Sequence, residues 1–167
     1  DGLRTYAFNN QAGTVIEPYG LERVEILRGP SSILYGQSGP GGMVNLVSKR
    51  PTDTPLHELQ LQLGSHDRRQ VAGDFGGPLT ADGTWSYRLT ALARDSDTQI
   101  DHVKDDRVFV APALTWRPDA RTSLTLLADY QKNERGQGYQ AWPRVGTLAA
   151  NPNGDIPTSR FLGEPSV

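Results

Sequence analysis

The stretch "YGQSGPGG", Tyr35 to Gly42, places four glycines and one proline in eight positions. Glycine-dense turns can cradle phosphate, because backbone N–H groups converge on an anion at a helix start. That chemistry needs a G-x-x-x-x-G-K-[ST] or G-x-G-x-x-G frame. Here the lysine and the following hydroxyl residue are missing, and the loop leads into the strand-like run "MVNLVS". What is left is a turn where backbones approach closely, built from Gly29, Pro30, Gly36, Gly39, Gly41 and Gly42.

The other chemistry-bearing residues are sparse. "DSDTQIDHVKDD" supplies Asp95, Asp97, Asp101, Asp105 and Asp106. A calcium loop wants glycine at its sixth position and glutamate at its twelfth, where this run has Ile100 and Asp106. It reads as a solvated acidic loop. His57, His66 and His102 stand apart, without metal-ligand spacing, and cysteine is absent. No G-x-S-x-G elbow joins a nucleophile to a base. Neither an enzyme nor a metal held by protein ligands is expected. "GYQAWPRVG" puts Tyr139 and Trp142 beside Arg144 in a long loop, where exposed aromatics bind a ligand face or simply pack the loop.

Charge is nearly balanced, 17 basic against 19 acidic residues, so nothing argues for a nucleic-acid partner. No run approaches the roughly 18 apolar residues of a membrane helix. That leaves a transmembrane β-barrel open, since its strands alternate apolar and polar residues. The chain begins Asp1-Gly2-Leu3 without an initiator Met or a secretory segment, and reads as loop from about Asn133. An internal piece of a larger protein is expected.

Two patterns divide the chain. Residues 1–52 read as small α+β material. Strands "ERVEIL" (Glu22–Leu27) and "MVNLVS" (Met43–Ser48) flank a one-turn helix, "SILY", capped by Ser31 or Ser32 and ended by Gly36. "KRP" then opens a linker through about Pro55. Residues 56–167 follow period two, with strands predicted at about 57–65, 68–77, 84–95, 106–117 and 121–131 and a long loop from about 133. Leu59, Leu61 and Leu63 share one face; so do Trp85, Tyr87, Leu89, Ala91 and Ala93. Arg88, Arg94, Arg107 and Arg117 fall on the opposite faces of their strands. Strands of about ten residues cross a bilayer when tilted. Trp85, Tyr87 and Trp116 are expected near one rim and Tyr130 near the other. "LTADG" and "PDA" are short turns, whereas "DSDTQIDHVKDD" and the tail are long, the asymmetry of an outer-membrane barrel. The exception is the short "SHD" (Ser65–Asp67). A soluble β-sandwich also alternates in this way and stays as the alternative, although its strands run shorter. Pro112 removes a ladder donor in mid-strand, which points to a bulge.

"YGLERVEILRGPSSILYGQSGPGGMVNLVSKRP" resembles the C-terminal half of the plug of TonB-dependent outer-membrane receptors. "GDFGGPLTADGTWSYRLTALARDSDTQIDHVKDDRVFVAPALTWRPDARTSLTLLADYQ" is similar to their first barrel strands. "GYQAWPRVGTL" with "NPNGDIPTSRFLGEP" resembles the third extracellular loop of the ferrichrome-type, hydroxamate-siderophore branch. The resemblance covers nearly the whole chain. It implies an outer-membrane β-barrel with an α+β plug domain, of which this chain holds the C-terminal part of the plug (1–52) and about five antiparallel barrel strands (within 56–167).

The implied activity is uptake of ferric siderophore across the bacterial outer membrane, energised by the TonB–ExbB–ExbD complex through a segment this chain does not contain. Iron arrives already chelated, so no bound cofactor is implied. In the family, aromatics of the third loop contact the siderophore. Trp142 matches such a position, and Gln140 stands where ferrichrome receptors carry an aromatic, with Tyr139 one step earlier. The apex loop "RTYAFNNQAG" brings Tyr6 and Phe8 as further contacts. Arg28 of "LRGP" matches an arginine that anchors the plug to barrel-wall glutamates. Other cargo (haem, cobalamin, a glycan) and a signalling barrel with an extra N-terminal domain are the readings that compete within the superfamily.

Overall fold

The computed structural model describes Asp1 and residues 15–29, 41–135 and 142–163. The helix expected at 31–35 lies outside these, as do Tyr6, Phe8, Pro30, Gly36, Gly39, Tyr139 and Gln140. Strands dominate. A two-stranded sheet pairs β1 (Leu21–Arg28) with β2 (Gly42–Ser48). A second sheet runs in the order β3 (Leu56–Leu63), β4 (Arg69–Pro78), β5 (Trp85–Asp95), β6 (Asp105–Trp116), β7 (Leu124–Leu127), with β8 (Tyr130–Arg135) also on β6. Sequential neighbours, joined by alternating short turns and longer loops, make it a meander.

The faces of this second sheet are inverted relative to a soluble protein. Leu61 and Leu63 are 75% and 87% exposed, and Val71, Leu89, Val108, Leu124 and Leu126 are exposed too. Ser86, Arg88, Thr90, Arg107 and Thr115, on the other face, are buried. A sandwich hides its apolar face against a second sheet. A barrel wall turns that face to lipid and keeps the polar face inside. The alternation read from sequence is therefore a barrel wall, and the sandwich is excluded. No helix among the described residues is long and apolar enough to cross a membrane.

The chain divides into two compact units: Asp1–Glu58 with Asp74–Ala91 and Val110–Asp129, and Leu59–Gly73 with Leu92–Phe109 and Tyr130–Val167. In the first, Trp85 and Trp116 stack at 6.0 Å between ring centroids, beside the short turns. Those turns are closed by aspartates. Asp82 accepts from the Thr84 N–H (3.0 Å) and hydroxyl (2.7 Å), and Asp119 accepts from the N–H groups of Arg121 (2.7 Å) and Thr122 (2.8 Å). Such Asx closures let a chain reverse in few residues.

Pro112 also finds its explanation there. The β6–β7 register pairs Ala113 with Leu127 and Leu114 with Leu126, so Pro112 faces Ala128. Ala128 N–H donates to the Pro112 carbonyl at 3.1 Å, but proline has no N–H to return the bond. The ladder breaks at Ala128–Asp129, and the strand expected at 121–131 becomes two segments, β7 and β8. The second segment, β8, begins at Tyr130 and continues to Arg135.

In the second unit, the short "SHD" turn uses left-handed backbone at His66 (φ 60°) and Asp67 (φ 52°), with Gly64 N–H bonded to the Arg68 carbonyl at 3.0 Å. The His66 carbonyl accepts from Asp97 N–H (3.0 Å), and Asp101 N–H donates to the Ser159 carbonyl (2.8 Å). His102 meets Phe161 edge-on at 6.2 Å. The acidic loop is thus a scaffold for its neighbours. Among the described residues, no group of three or more His, Cys, Asp or Glu side chains is arranged to hold a metal.

Candidate functional site

Asp74 sits in the middle of β4, with its side chain only 4% exposed. Strand alternation puts it on the polar face, where a lone carboxylate would lose several kcal/mol of hydration. Four donors compensate. Arg88 on β5 makes a two-point contact, Nε to Oδ1 at 2.9 Å and Nη2 to Oδ2 at 2.8 Å. Lys49 Nζ reaches Oδ2 at 2.8 Å, and the Thr90 hydroxyl lies 3.3 Å from Oδ1. A planar guanidinium meeting a carboxylate at two points gains geometric specificity as well as energy.

The pair also gathers the chain on its way from the small sheet to the wall. Arg88 Nη1 donates to Glu22 Oε2 (3.0 Å) and to the Arg50 carbonyl (3.1 Å). Glu22 can reach because the β1–β2 register slips between Leu21 and Arg23, leaving it as the extra residue of a bulge. Bulges re-aim side chains in this way. Lys49 Nζ lies 4.2 Å from the centre of the Tyr19 ring, and the Tyr19 hydroxyl donates to Glu58 Oε1 at 3.0 Å. Burial, and then that bond to a carboxylate, hold the Tyr19 phenol well above its ordinary pKa. It is a neutral donor throughout the physiological range.

Glycines let the linker lie close against the wall. A Cβ on Gly76 would stand 3.0 Å from Thr52 Oγ1 and 3.2 Å from the Tyr87 carbonyl oxygen. On Gly77 (φ 149°) it would stand 3.2 Å from Pro55 Cα. The small residues of "AGDFGG" thus make room for the linker.

The glycine turn is partly described. Gly29 has φ 84° and Gly42 has φ 118°. Gly42 pairs with Arg28 across the β1–β2 ladder, and a Cβ there would fall 2.0 Å from the Leu27 carbonyl oxygen. Gly41 meets nothing within 4 Å. Arg28 itself is exposed at the end of β1, without an ion pair among the described residues. Trp142 is exposed at the start of a described loop that is folded on itself. There, Gly146 (φ 87°) donates to Ala149 at 2.8 Å and accepts from Ile156 at 2.8 Å. Leu148, in the turn between them, is 89% exposed.

Sequence reasoning missed Asp74, Lys49 and Glu22. A signal was available for the first. With the "PLTADGTW" turn closing at Leu79 and Trp85, whose backbones bond at 2.7 Å, counting back along both strands sets Asp74 opposite Thr90 and diagonal to Arg88.

The sequence profile of the TonB-dependent Receptor Plug Domain matches residues 1–43. The chain is 50% identical over 153 residues to a ferrichrome outer membrane transporter/phage receptor of Escherichia coli (strain K12), covering 90% of this chain and 20% of that protein. It is 39% identical over 149 residues to a ferrioxamine receptor of Yersinia enterocolitica, covering 89% and 21%. Among solved structures, a pyoverdine outer membrane receptor from Pseudomonas aeruginosa bound to pyoverdine superposes with TM-score 0.73 at 31% identity, over 80% of this chain and 20% of that one. The chain thus spans about a fifth of the length of the relatives it matches. A plug profile that runs through β1 to the start of β2, continued into a lipid-facing wall that matches solved receptors in both sequence and fold, places this chain in the family of TonB-dependent outer-membrane receptors.

Proposed function

We propose that the receptor containing this chain takes up ferric siderophore of the hydroxamate class across the bacterial outer membrane. The observation that carries this reading is the 50% identity to a ferrichrome transporter over nine-tenths of the chain. The ferrioxamine receptor supports it, since its named ligand is another siderophore. The cargo brings iron inside an organic shell, so aromatic and polar contacts suffice and the receptor adds no ligand to the metal. Tyr6, Phe8, Tyr139, Gln140 and Trp142 are the proposed contacts. Arg28 is the proposed plug anchor, paired with wall carboxylates beyond this chain. Energy reaches the plug from the TonB–ExbB–ExbD complex. The receptor is a transporter and catalyses no bond making or breaking.

The test is uptake of radiolabelled iron by a strain lacking its own hydroxamate receptors and carrying the full-length protein. Ferrichrome and ferrioxamine are expected to support TonB-dependent uptake. Binding of haem, cobalamin or a glycan without any ferric hydroxamate would replace the cargo assignment.

A further inference from the structure

We propose that the acidic β5–β6 connection is the platform that positions the loop carrying Trp142, and that Asp101, His102 and Phe161 dock the two together. That Trp142 meets a ferric siderophore rests on the function proposed above. The docking itself follows from geometry within one compact unit.

The platform is firm. Ser96 is buried, donates its N–H to Asp106 Oδ1 at 2.9 Å and accepts from the Asp105 N–H at 2.8 Å. Thr98 N–H reaches the Val103 carbonyl at 3.0 Å, and Val103 N–H reaches that of Ile100 at 3.2 Å. Val103 is 3% exposed and pins the turn. His102 takes left-handed backbone, φ 64°, a conformation that His, Asn and Asp adopt more readily than most side chains. Asp101 and His102 themselves are exposed, and these two carry the contacts.

The other loop meets them with alternate residues. Ser159 and Phe161 are half-buried, whereas Thr158, Arg160 and Leu162 are exposed. The Ser159 carbonyl accepts from Asp101 N–H at 2.8 Å, and the Phe161 ring meets His102 edge-on, within the separation that aromatic pairs prefer. Gly163 leaves room for that ring, since a Cβ there would stand 2.5 Å from Phe161 Cζ.

From this dock, order passes along the loop towards Trp142. Arg160 N–H bonds to the Pro157 carbonyl at 3.0 Å, and Ile156 N–H bonds to that of Gly146 at 2.8 Å. A Cβ on Gly146 would stand 3.0 Å from Ile156 Cγ1. Leu148 and Ala149 both donate to the Arg144 carbonyl, at 3.0 and 2.9 Å, close in sequence to the indole. Asp101, His102 and Phe161 therefore act through the loop. Losing them changes how often the loop is competent to bind, not how a bound chelate is held. The association rate should fall and the dissociation rate should stay.

The test uses the full-length receptor with two measurements. The first needs no cargo: residue-resolved amide exchange in nanodiscs. His102→Asn keeps a residue that tolerates the left-handed backbone but removes the ring. Phe161→Leu removes the other ring, and Gly163→Ala displaces it. Each should speed exchange of the Asp101 amide by about three- to ten-fold, the loss of one aromatic pair. The Asp105 amide, bonded within the platform, should exchange as in wild type. Unchanged Asp101 exchange in all three variants would overturn the docking. The second measurement is the kinetics of ferrichrome binding. Each variant should associate more slowly by about the same factor and dissociate at the wild-type rate. The double variant His102→Asn/Phe161→Leu should be no slower than the worse single one, because both remove one contact. Faster Asp101 exchange with unchanged association would overturn the positioning role. If the wild type binds no ferric hydroxamate, the siderophore reading falls, and the exchange result still decides whether the two loops are docked.

Discussion

Arg88 on β5 grips Asp74 on β4 through Nε at 2.9 Å and Nη2 at 2.8 Å, and its remaining nitrogen turns away to the hairpin. One guanidinium thus satisfies the wall and holds the plug segment. Removing the carboxylate leaves two cations facing each other at a buried site. Asp74→Ala is expected to destabilise the receptor by about 3–5 kcal/mol, the range for breaking one partner of a buried pair. Arg88→Lys should recover only part of the wild-type stability, because an ammonium cannot reproduce the two-point geometry. Denaturant unfolding of the full-length receptor in micelles measures both. A loss below about 1 kcal/mol for Asp74→Ala would show the network to be solvated in practice.

The wall makes a second prediction from its inverted faces. Leu89 and Leu126 are exposed on the outward face, with Val110 at the corresponding position of β6. Lysine at any of the three should cost roughly 2–4 kcal/mol at mid-membrane depth. Thr90→Ser on the buried polar face should be tolerated. Folding efficiency into lipid vesicles separates the cases, and equal folding of all variants would contradict a lipid-facing surface.

Much of this architecture is legible in the sequence, because period two survives wherever lipid and lumen impose opposite demands on alternate residues. Leu59, Leu61 and Leu63 announce the outward face of β3 without any partner. Asp74 could not announce itself in that way. An acidic residue on a polar face is unremarkable until its register against Arg88 is known, and its plug-side partner Lys49 lies 25 residues away. Arg88, by contrast, was visible as a polar-face residue, but its grip on Glu22 depends on a bulge that no local propensity signals. The break after β7 was half visible: Pro112 marks a missing donor, yet the strand that suffers is the partner across the ladder.

Two neighbouring glycines should behave differently. Gly42 combines φ 118° with a site where a Cβ would fall 2.0 Å from the Leu27 carbonyl oxygen, so Gly42→Ala must distort the β1–β2 ladder. Gly41 has open space around its virtual Cβ and no positive φ, so Gly41→Ala should be nearly neutral. Amide exchange of Arg28 and Leu27 reports the difference directly. Equal protection in both variants would refute the close approach at Gly42.

The Asp82 turn carries a pH dependence. Bonds from Thr80 and Thr84 favour the carboxylate and bring its pKa to about 2, from an ordinary value of 3.8. The folded pKa lies below the unfolded one, so the turn's contribution is complete above about pH 4. It fades as pH falls through about 2. Asp82→Asn should abolish this acid-dependent component, lowering stability at neutral pH towards the level the wild-type turn has in acid. Titration of the Asp82 carboxyl resonance in the receptor should give a midpoint near the shifted value. A midpoint at the ordinary value would show that the threonine bonds do not persist in solution.

Trp142 supplies the prediction closest to transport. It is 39% exposed at the start of a loop whose later part is ordered by the Gly146, Ala149 and Ile156 bonds. A rigid scaffold behind an exposed indole favours binding, since little side-chain and loop entropy remains to be lost when a ligand arrives. Truncating an aromatic anchor commonly costs at least about 2 kcal/mol, a factor of roughly thirty in affinity. Trp142→Ala in the full-length receptor should therefore weaken ferric hydroxamate binding by about that factor, while Trp142→Phe should retain most of it. Leu148→Ala, at a more exposed position of the same loop, serves as the control and should bind as wild type. Quenching of intrinsic fluorescence by the ferric chelate, in the receptor and in each variant, gives the affinities. Unchanged affinity in Trp142→Ala, with the loop still folded, would remove the indole from the binding surface and shift the search to the other proposed contacts.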